Sequence, residues 1–167
     1  MKPEKEKYYK KTTLALLATI EKMKLEKMQR MRAKNLVLYF RDSFKLPDVK
    51  YQTFWQDIGE GMNRFTYDSD GFCRVSSINF IKQMGKNPDW KLMYIDSSWL
   101  YGPHHFLVHE PSRLILDLTY DQYTHAGMYI PYNLGKPIQI ETEDEDATIR
   151  FARALNLPEI ISSKQKD

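Results

Sequence analysis

The chain has a single cysteine, Cys73, in a sequence context where a thiol can become reactive. A turn cluster ending in Gly71 precedes it, and apolar residues at helical spacing follow it as far as Met84. Cys73 should therefore lie in the first turn of a helix. A thiol is nucleophilic only as the thiolate, and a helix N-terminus stabilises the thiolate through unpaired N–H groups and aligned peptide dipoles. The same N–H groups can stabilise the oxyanion that forms when sulfur attacks a carbonyl carbon. The structural alternative is that Cys73 is a small core residue, since free cysteines are often buried.

A nucleophilic cysteine requires a base, and two strand-like segments downstream offer one. Residues 104–109 and 114–119 are joined by a short turn and predict an antiparallel hairpin. If the turn has two or four residues, His104 shares a sheet face with Asp117, within reach of a hydrogen bond from Nδ1–H to the carboxylate. A carboxylate in an otherwise apolar strand is costly to bury unless it is paired, so Asp117 needs such a partner. A turn of three or five residues would direct His105 to that face instead, which makes His105 the alternative base.

A metal site is the other chemistry that these histidines could support, together with Asp117 or His125. His105 and His109 would be roughly 13 Å apart on a strand that rises about 3.3 Å per residue. That separation is too large for two ligands that each lie about 2 Å from one ion. A single cysteine also excludes multi-cysteine zinc and iron–sulfur sites. We therefore expect no metal and no cofactor.

The elements that position these residues predict an α+β fold, a small antiparallel sheet flanked by helices. Residues 1–45 should form an N-terminal helical extension, with Thr12 or Thr13 capping a helix that runs without Gly or Pro to residue 34. We expect irregular or short elements over 46–70 and a helix from Cys73 that Gly85 ends. Strands are predicted at 90–95, 104–109 and 114–119. A last helix should start at a capping box over 142–145 and end after Leu155.

Length, composition and charge limit the class of protein. The 167 residues suit one domain, and 42% hydrophobic with 28% charged residues excludes a disordered chain, a collagen-like repeat or a coiled-coil rod. No apolar stretch is long enough to span a membrane. Residues 1–50 carry a net charge of +8 and residues 51–167 a net charge of −5. A basic arm can bind nucleic acid or an acidic partner, but the interleaved glutamates favour a solvated amphipathic helix. One thiol and no export signal predict a cytoplasmic location.

Three motifs together resemble the papain-like cysteine enzymes, in their transglutaminase-like branch. They are Gly71-Phe72-Cys73-Arg74-Val75-Ser76-Ser77, His104-His105-Phe106-Leu107-Val108 and Leu116-Asp117-Leu118-Thr119-Tyr120-Asp121-Gln122-Tyr123. The closer similarity is to small uncharacterised bacterial and phage proteins with the pattern G-x-C … H-x-[WF]-L … [IL]-D-[LP]-T-x-x-Q-[FY]. The resemblance covers about residues 71–123. It implies a papain-like core over 60–157, with Cys73 as nucleophile, His104 as base and Asp117 as the orienting acid.

The sequence departs from this family in two respects. Arg74 stands where an aromatic residue often follows the cysteine. No side-chain donor for an oxyanion hole is evident, and the candidates are Asn63, Tyr67 and Gln122. The spacing of Gln122 from the acid strand favours a structural hydrogen bond to the loop over a contact with substrate.

The function that the resemblance implies is thiol-dependent acyl transfer. The enzyme would be a peptidase, amidase or deamidase that acts on a carboxamide or isopeptide, with a peptide, protein or small amide as substrate. A transglutaminase would deliver the acyl group to an amine instead. The alternative is an inactive interaction protein of the same fold, such as a phage or host factor. It would bind nucleic acid or an acidic partner through the basic helix at residues 10–34. We expect no membrane partner, and the sequence makes no prediction of the oligomeric state.

Overall fold

The computed structural model describes residues 2–58, 68–96, 100, 103–140 and 146–158. Within them the fold is α+β, as predicted. The helices are α1 (Lys2–Glu21), α2 (Lys27–Phe44), α3 (Pro47–Ile58), α4 (Cys73–Gln83), α5 (Asp121–Thr124) and α6 (Asp146–Ala154). The strands are β1 (Trp90–Ile95), β2 (His104–His109), β3 (Leu114–Leu116) and β4 (Lys136–Pro137), which form one antiparallel sheet in the order β3-β2-β1-β4. None of the helices in these ranges combines the length and apolar character that a membrane span requires.

The hairpin of β2 and β3 has the register expected for a four-residue turn. His109 pairs with Leu114, and Leu107 pairs with Leu116. Arg113 closes the turn in the left-handed conformation, at φ +53°. Because side chains alternate along a strand, this register gives neighbouring residues of β2 opposite faces of the sheet.

β3 is shorter than predicted and ends at Leu116 rather than at residue 119. The carboxylate oxygen Oδ1 of Asp117 accepts a hydrogen bond from the backbone N–H of Thr119, at 3.2 Å. Such a local bond from side chain to backbone competes with the strand ladder and turns the chain. The turn leads directly into α5, which carries Gln122.

The core lies mainly on the face of the sheet that α4 covers. Its buried side chains include Phe40, Phe44, Phe72, Phe80, Leu92, Leu107, Leu116 and Phe151, from α2, the start of α4, the sheet and α6. A smaller cluster forms around the opposite face, and its buried members are Ile95, Leu100, Phe106, Tyr123 and Ile130. The two histidines at the start of β2 therefore have different surroundings.

The N-terminal helices differ from the prediction in two places. α1 begins at Lys2, so Thr12 and Thr13 lie inside the helix and do not cap it. Thr12 is buried, and the hydroxyl of Thr13 donates to the carbonyl oxygen of Tyr9 one turn earlier, at 3.1 Å. The predicted continuous helix is also interrupted after Glu21, because Arg30 donates to carbonyl oxygens in the connecting segment.

The segment expected to be irregular contains a helix instead. α3 runs from Pro47 to Ile58. Proline is favoured at the first helical position, because its missing N–H would have no partner within the helix and its φ suits a helix. Pro47 therefore starts α3, after α2 has ended at Phe44. The predicted capping box at 142–145 lies outside the described residues, and the helix that would follow it is α6.

Candidate active site

Cys73 is the first residue of α4, and the residue before it fixes this helix end. Phe72 is the N-cap, and its ring is completely buried. It packs against three other rings, with centroid distances of 4.5 Å to Phe44, 5.1 Å to Phe54 and 5.6 Å to Phe151. Gly71 has φ +84°, a conformation that favours glycine, and brings the chain into the helix. Because Phe72 supplies no side-chain cap, the N–H groups of the first turn donate no hydrogen bond to a capping side chain.

The predicted contact between His104 and Asp117 is present and completely shielded from solvent. Nε2 of His104 lies 2.6 Å from Oδ2 of Asp117, and the exposed fractions of the two residues are 0% and 2%. The nitrogen involved is Nε2 and not the predicted Nδ1, so Nδ1 is the atom left for proton exchange. The ring of Tyr123 packs edge-on against the imidazole at 4.9 Å and limits its rotation.

The carboxylate of Asp117 is oriented by two further donors. The hydroxyl of Tyr132 donates to Oδ2 at 2.7 Å, and the backbone N–H of Thr119 donates to Oδ1 at 3.2 Å. Burial and the negative charge of Asp117 raise the pKa of Tyr132 far above its usual value, so its hydroxyl remains a donor. These donors orient the carboxylate of Asp117, whose negative charge beside the ring raises the pKa of His104.

The sulfur of Cys73 lies beside the start of β2 and is partly exposed. It is 3.9 Å from Nδ1 of His105 and 4.0 Å from the carbonyl oxygen of Pro103. His104 acts on the thiol as well, because it lowers the pKa of Cys73. The sequence favoured His104 over His105 as the histidine beside the thiol, but the histidine contact that the structure gives the sulfur is with Nδ1 of His105.

The pKa values of the thiol and of His104 change in opposite directions. Burial raises the pKa of Cys73, but hydrogen bonds from His104 and His105 and the charge of His104 outweigh it and lower the pKa to about 6. Burial lowers the pKa of His104, but the charge and hydrogen bond of Asp117, assisted by Cys73, outweigh it and raise the pKa to about 10. Between these values the favoured state is a thiolate beside an imidazolium.

Gln122, predicted as a loop-supporting or oxyanion residue, contacts His104. Its amide nitrogen Nε2 lies 3.1 Å from Nδ1 of the imidazole and 3.3 Å from the hydroxyl oxygen of Thr119. The amide can donate to the neutral ring or, after rotating, accept from the imidazolium. The contact with Thr119 matches the predicted hydrogen bond to the loop. The other two oxyanion candidates, Asn63 and Tyr67, lie outside the described residues.

A buried ion pair joins the N-terminal helices to the loop that carries Asp117 and Gln122. Arg41 in α2 is completely buried and binds both carboxylate oxygens of Asp121, with NH1–Oδ1 at 2.9 Å and NH2–Oδ2 at 3.0 Å. Its other donors reach the carbonyl oxygens of Leu118 and Tyr9 and the hydroxyl of Thr13, each at 3.1 Å. α1 and α2 are therefore built into the support of the site.

The same ion pair reaches the segment before the cysteine. The hydroxyl of Ser69 donates to Oδ1 of Asp121 at 2.8 Å, four residues before Cys73 in the chain. The turn that leads to Cys73 and the loop that carries Asp117 are thus held by one buried carboxylate, that of Asp121.

Sequence reasoning missed Arg41, Asp121 and Tyr132. The sequence did contain an indication of the role of Arg41, since this residue lies on the buried face of α2 with Val37, Phe40 and Phe44. A charged residue on an apolar helical stripe requires a buried partner. Nothing in the local sequence around Tyr132 indicates its contact with Asp117.

The remaining histidines have structural contacts elsewhere. Nδ1 of His109 lies 2.8 Å from the hydroxyl of Ser112, and the ring of His125 stacks on Tyr8 at 4.5 Å. Among the described residues, no group of three or more histidine, cysteine, aspartate or glutamate side chains is arranged to hold a metal ion.

The chain was compared with models of known protein families, with curated proteins and with solved structures, and none of them matches. The chemistry of the site must therefore be argued from its own geometry.

Proposed function

We propose that the protein is a thiol-dependent acyl-transfer enzyme with a papain-like core, in which Cys73 is the nucleophile, His104 the base and Asp117 the residue that orients the base. The observation that carries the proposal is the buried 2.6 Å pair of His104 and Asp117 beside a partly exposed thiol with a pKa lowered to about 6. The order of a cysteine on a helix, a histidine on one strand and an acid after the next supports the resemblance to the transglutaminase-like branch.

The first half of the reaction would form a thioester. The Cys73 thiolate attacks the carbonyl carbon of an amide, a sulfur–carbon bond forms, and the carbonyl electrons move onto oxygen. Backbone N–H groups in the first turn of α4 would stabilise that negative charge. When the intermediate collapses, the carbon–nitrogen bond breaks, and His104 gives its Nδ1 proton to the departing amine.

The second half would release the acyl group. Neutral His104 accepts a proton at Nδ1 from water, or from an amine, as that molecule attacks the thioester. The sulfur–carbon bond then breaks and returns the electron pair to sulfur. Water gives a carboxylic acid and thus a peptidase, amidase or deamidase. An amine gives a new amide.

The raised pKa of His104 favours amides over activated esters as substrates. An amine is a poor leaving group unless it is protonated as it departs. An imidazolium that keeps its proton to about pH 10 has a proton affinity close to that of an alkylamine. A carboxamide or an isopeptide is therefore the substrate class that the site suits best.

The proposal is tested by amide turnover with peptides that contain glutamine, asparagine or an isopeptide bond. Ammonia or amine release would report hydrolysis, and incorporation of a fluorescent amine would report transfer. We expect turnover by the wild type, its loss in Cys73→Ala, and wild-type turnover in His125→Ala, which removes a histidine that stacks on Tyr8.

Iodoacetamide labelling gives a substrate-independent check, because Cys73 is the only thiol in the chain. Labelling should be fast near pH 6–7 and slower in His104→Ala. Labelling of both proteins at the rate of a free thiol would contradict the proposal. That result would favour the alternative, an interaction protein that binds nucleic acid or an acidic partner through its basic N-terminal helix.

A further inference from the structure

The second histidine of β2, His105, is held in one tautomer by its neighbour Arg74. NH1 of Arg74 lies 3.1 Å from Nε2 of His105. A guanidinium group has donors and no acceptor, so Nε2 must present its lone pair to it. The ring is then neutral, and its proton is on Nδ1.

The Nδ1 proton of His105 points towards the sulfur of Cys73. Nδ1 of His105 lies 3.9 Å from the sulfur of Cys73. The ring is 5% exposed and packs against Tyr94, its partner on β1, with a centroid distance of 5.2 Å. His105 is therefore a donor with fixed direction, held on three sides by Arg74, Cys73 and Tyr94.

We infer that His105 is a catalytic hydrogen-bond donor, which stabilises the Cys73 thiolate in the resting enzyme and the oxyanion of the tetrahedral intermediate during acyl transfer. This inference rests on the proposed function. It assigns the side-chain donor of the oxyanion hole, which the sequence left open among Asn63, Tyr67 and Gln122.

The same geometry excludes His105 as the base, the alternative that the sequence left open. Its Nδ1 already carries a proton, so it cannot accept the proton of the thiol. The other tautomer would place an N–H at Nε2 against the guanidinium of Arg74, and two donors would face each other. His104 has the opposite arrangement, because its Nε2–H is bound to a carboxylate, and the neighbour of its Nδ1 is the uncharged amide of Gln122 rather than a guanidinium.

The distance to the sulfur is suitable for an oxyanion as well as for a thiolate. In the tetrahedral intermediate the oxygen is bonded to the carbon that sulfur has attacked, so it lies within a few ångströms of the sulfur. An effective donor lies about 2.7–3.1 Å from that oxygen. A nitrogen 3.9 Å from sulfur can reach this range without leaving its contact with Arg74.

Two electrophiles distinguish stabilisation of the thiolate from stabilisation of the oxyanion, in full-length variants with His105 replaced. Iodoacetamide reacts by displacement and forms no oxyanion. Acylation by p-nitrophenyl acetate passes through a tetrahedral oxyanion, and its rate is measured from the burst of p-nitrophenolate that is released. His105→Phe fills the site without a donor, and His105→Asn places an amide N–H close to the former Nδ1. His125→Phe is the matched control, and circular dichroism checks that each variant is folded. His105→Ala replaces the phenylalanine variant if that one does not fold.

We expect His105→Phe to raise the apparent pKa for alkylation by about one to two, the effect of losing one hydrogen bond to a charged group. At a pH where the thiol is ionised in every variant, alkylation should rise by about threefold to eightfold, because thiolates of higher pKa are more nucleophilic. Acylation at the same pH should fall by about 100-fold, the usual effect of removing one oxyanion donor. His105→Asn should return both the apparent pKa for alkylation and the acylation rate most of the way to their wild-type values.

Three results would overturn the inference. The first is that the alkylation and acylation rates of His105→Phe both equal those of the wild type. The second is that the acylation rate changes only in proportion to the alkylation rate. The third is that His105→Phe abolishes both reactions while His104→Ala retains them, which would make His105 the base. Failure of the proposed function is distinct, because the wild type itself would then show an ordinary thiol pKa and no acylation burst.

Discussion

Replacing Asp117 by asparagine should remove the activation of Cys73 while leaving the shape of the site almost unchanged. The amide has the volume of the carboxylate and keeps one oxygen, which can accept from Tyr132 or from Thr119 but not from both, because these donors bind different oxygens of Asp117. What it loses is the charge that holds His104 as an imidazolium. Burial then dominates at His104 and lowers its pKa, so the thiolate loses its cationic neighbour.

The size of the effect depends on the pH at which it is measured. With a pKa of about 6 the wild-type thiol is about half ionised at pH 6. With an ordinary pKa of about 8.5 the variant would be about 0.3% ionised, roughly 150-fold less. The variant thiolate is more nucleophilic by about 13-fold, because reactivity rises with thiol pKa. Alkylation at pH 6 should therefore slow by about 10-fold, and the difference should shrink to about twofold or threefold near pH 7.

The assay is the second-order rate of Cys73 alkylation by iodoacetamide from about pH 5 to 10, read by mass spectrometry. We expect the midpoint of the profile to move from about 6 in the wild type to about 8.5 or above in Asp117→Asn. Asp48→Asn, which changes an exposed carboxylate at the start of α3, should keep the wild-type profile. Equal midpoints in wild type and Asp117→Asn would refute the electrostatic reasoning.

Three further outcomes follow from the support of the site and from its ionisation. Arg41→Met should lower the free energy of unfolding by about 3–5 kcal/mol, because it leaves the buried carboxylate of Asp121 without its cation. The double variant with Asp121→Leu should lose less than the sum of the single changes in denaturant unfolding, and strict additivity would argue against the ion pair. Gly71→Ala should cost about 1–2 kcal/mol, because alanine is strained at φ +84°, and Gly71→Asn should cost less in the same assay. The pKa of Cys73 is lower in the folded protein than in the unfolded chain, so its stabilising contribution is complete above about pH 8.5 and is lost as the pH falls to about 6. The difference in unfolding free energy between wild type and Cys73→Ala should decrease over that range, and a constant difference would contradict the lowered pKa.

The parts of the fold that sequence predicted are those with strong local signals. β1 and β2 have the predicted bounds, and α4 begins at Cys73 as its position after Gly71 indicates. The contact of His104 with Asp117 was also predictable, because a four-residue turn fixes the register and a buried carboxylate needs a partner. In each case the information lies within one element or one hairpin.

The parts that sequence missed depend on contacts between distant segments. Arg41 and Asp121 are 80 residues apart, and no periodicity links them. Thr12 and Thr13 looked like caps, but α1 begins at Lys2 and the hydroxyl of Thr13 donates within the helix, so local preference gave the wrong start. The contact of His105 with the sulfur follows from where α4 begins beside β2, which is a property of packing rather than of either segment.

The ionisation state of Cys73 and His104 in the same sample decides between an activated thiol and an inert one. Thiolate absorbance of the wild type, with Cys73→Ala subtracted, gives the thiol pKa, and NMR of the imidazole nitrogens gives the protonation of His104. We predict a thiolate that forms with a pKa of about 6 beside an imidazolium that persists through pH 8. A thiol that ionises only near pH 8.5, beside a His104 ring already neutral at pH 8, would contradict the enzymatic assignment.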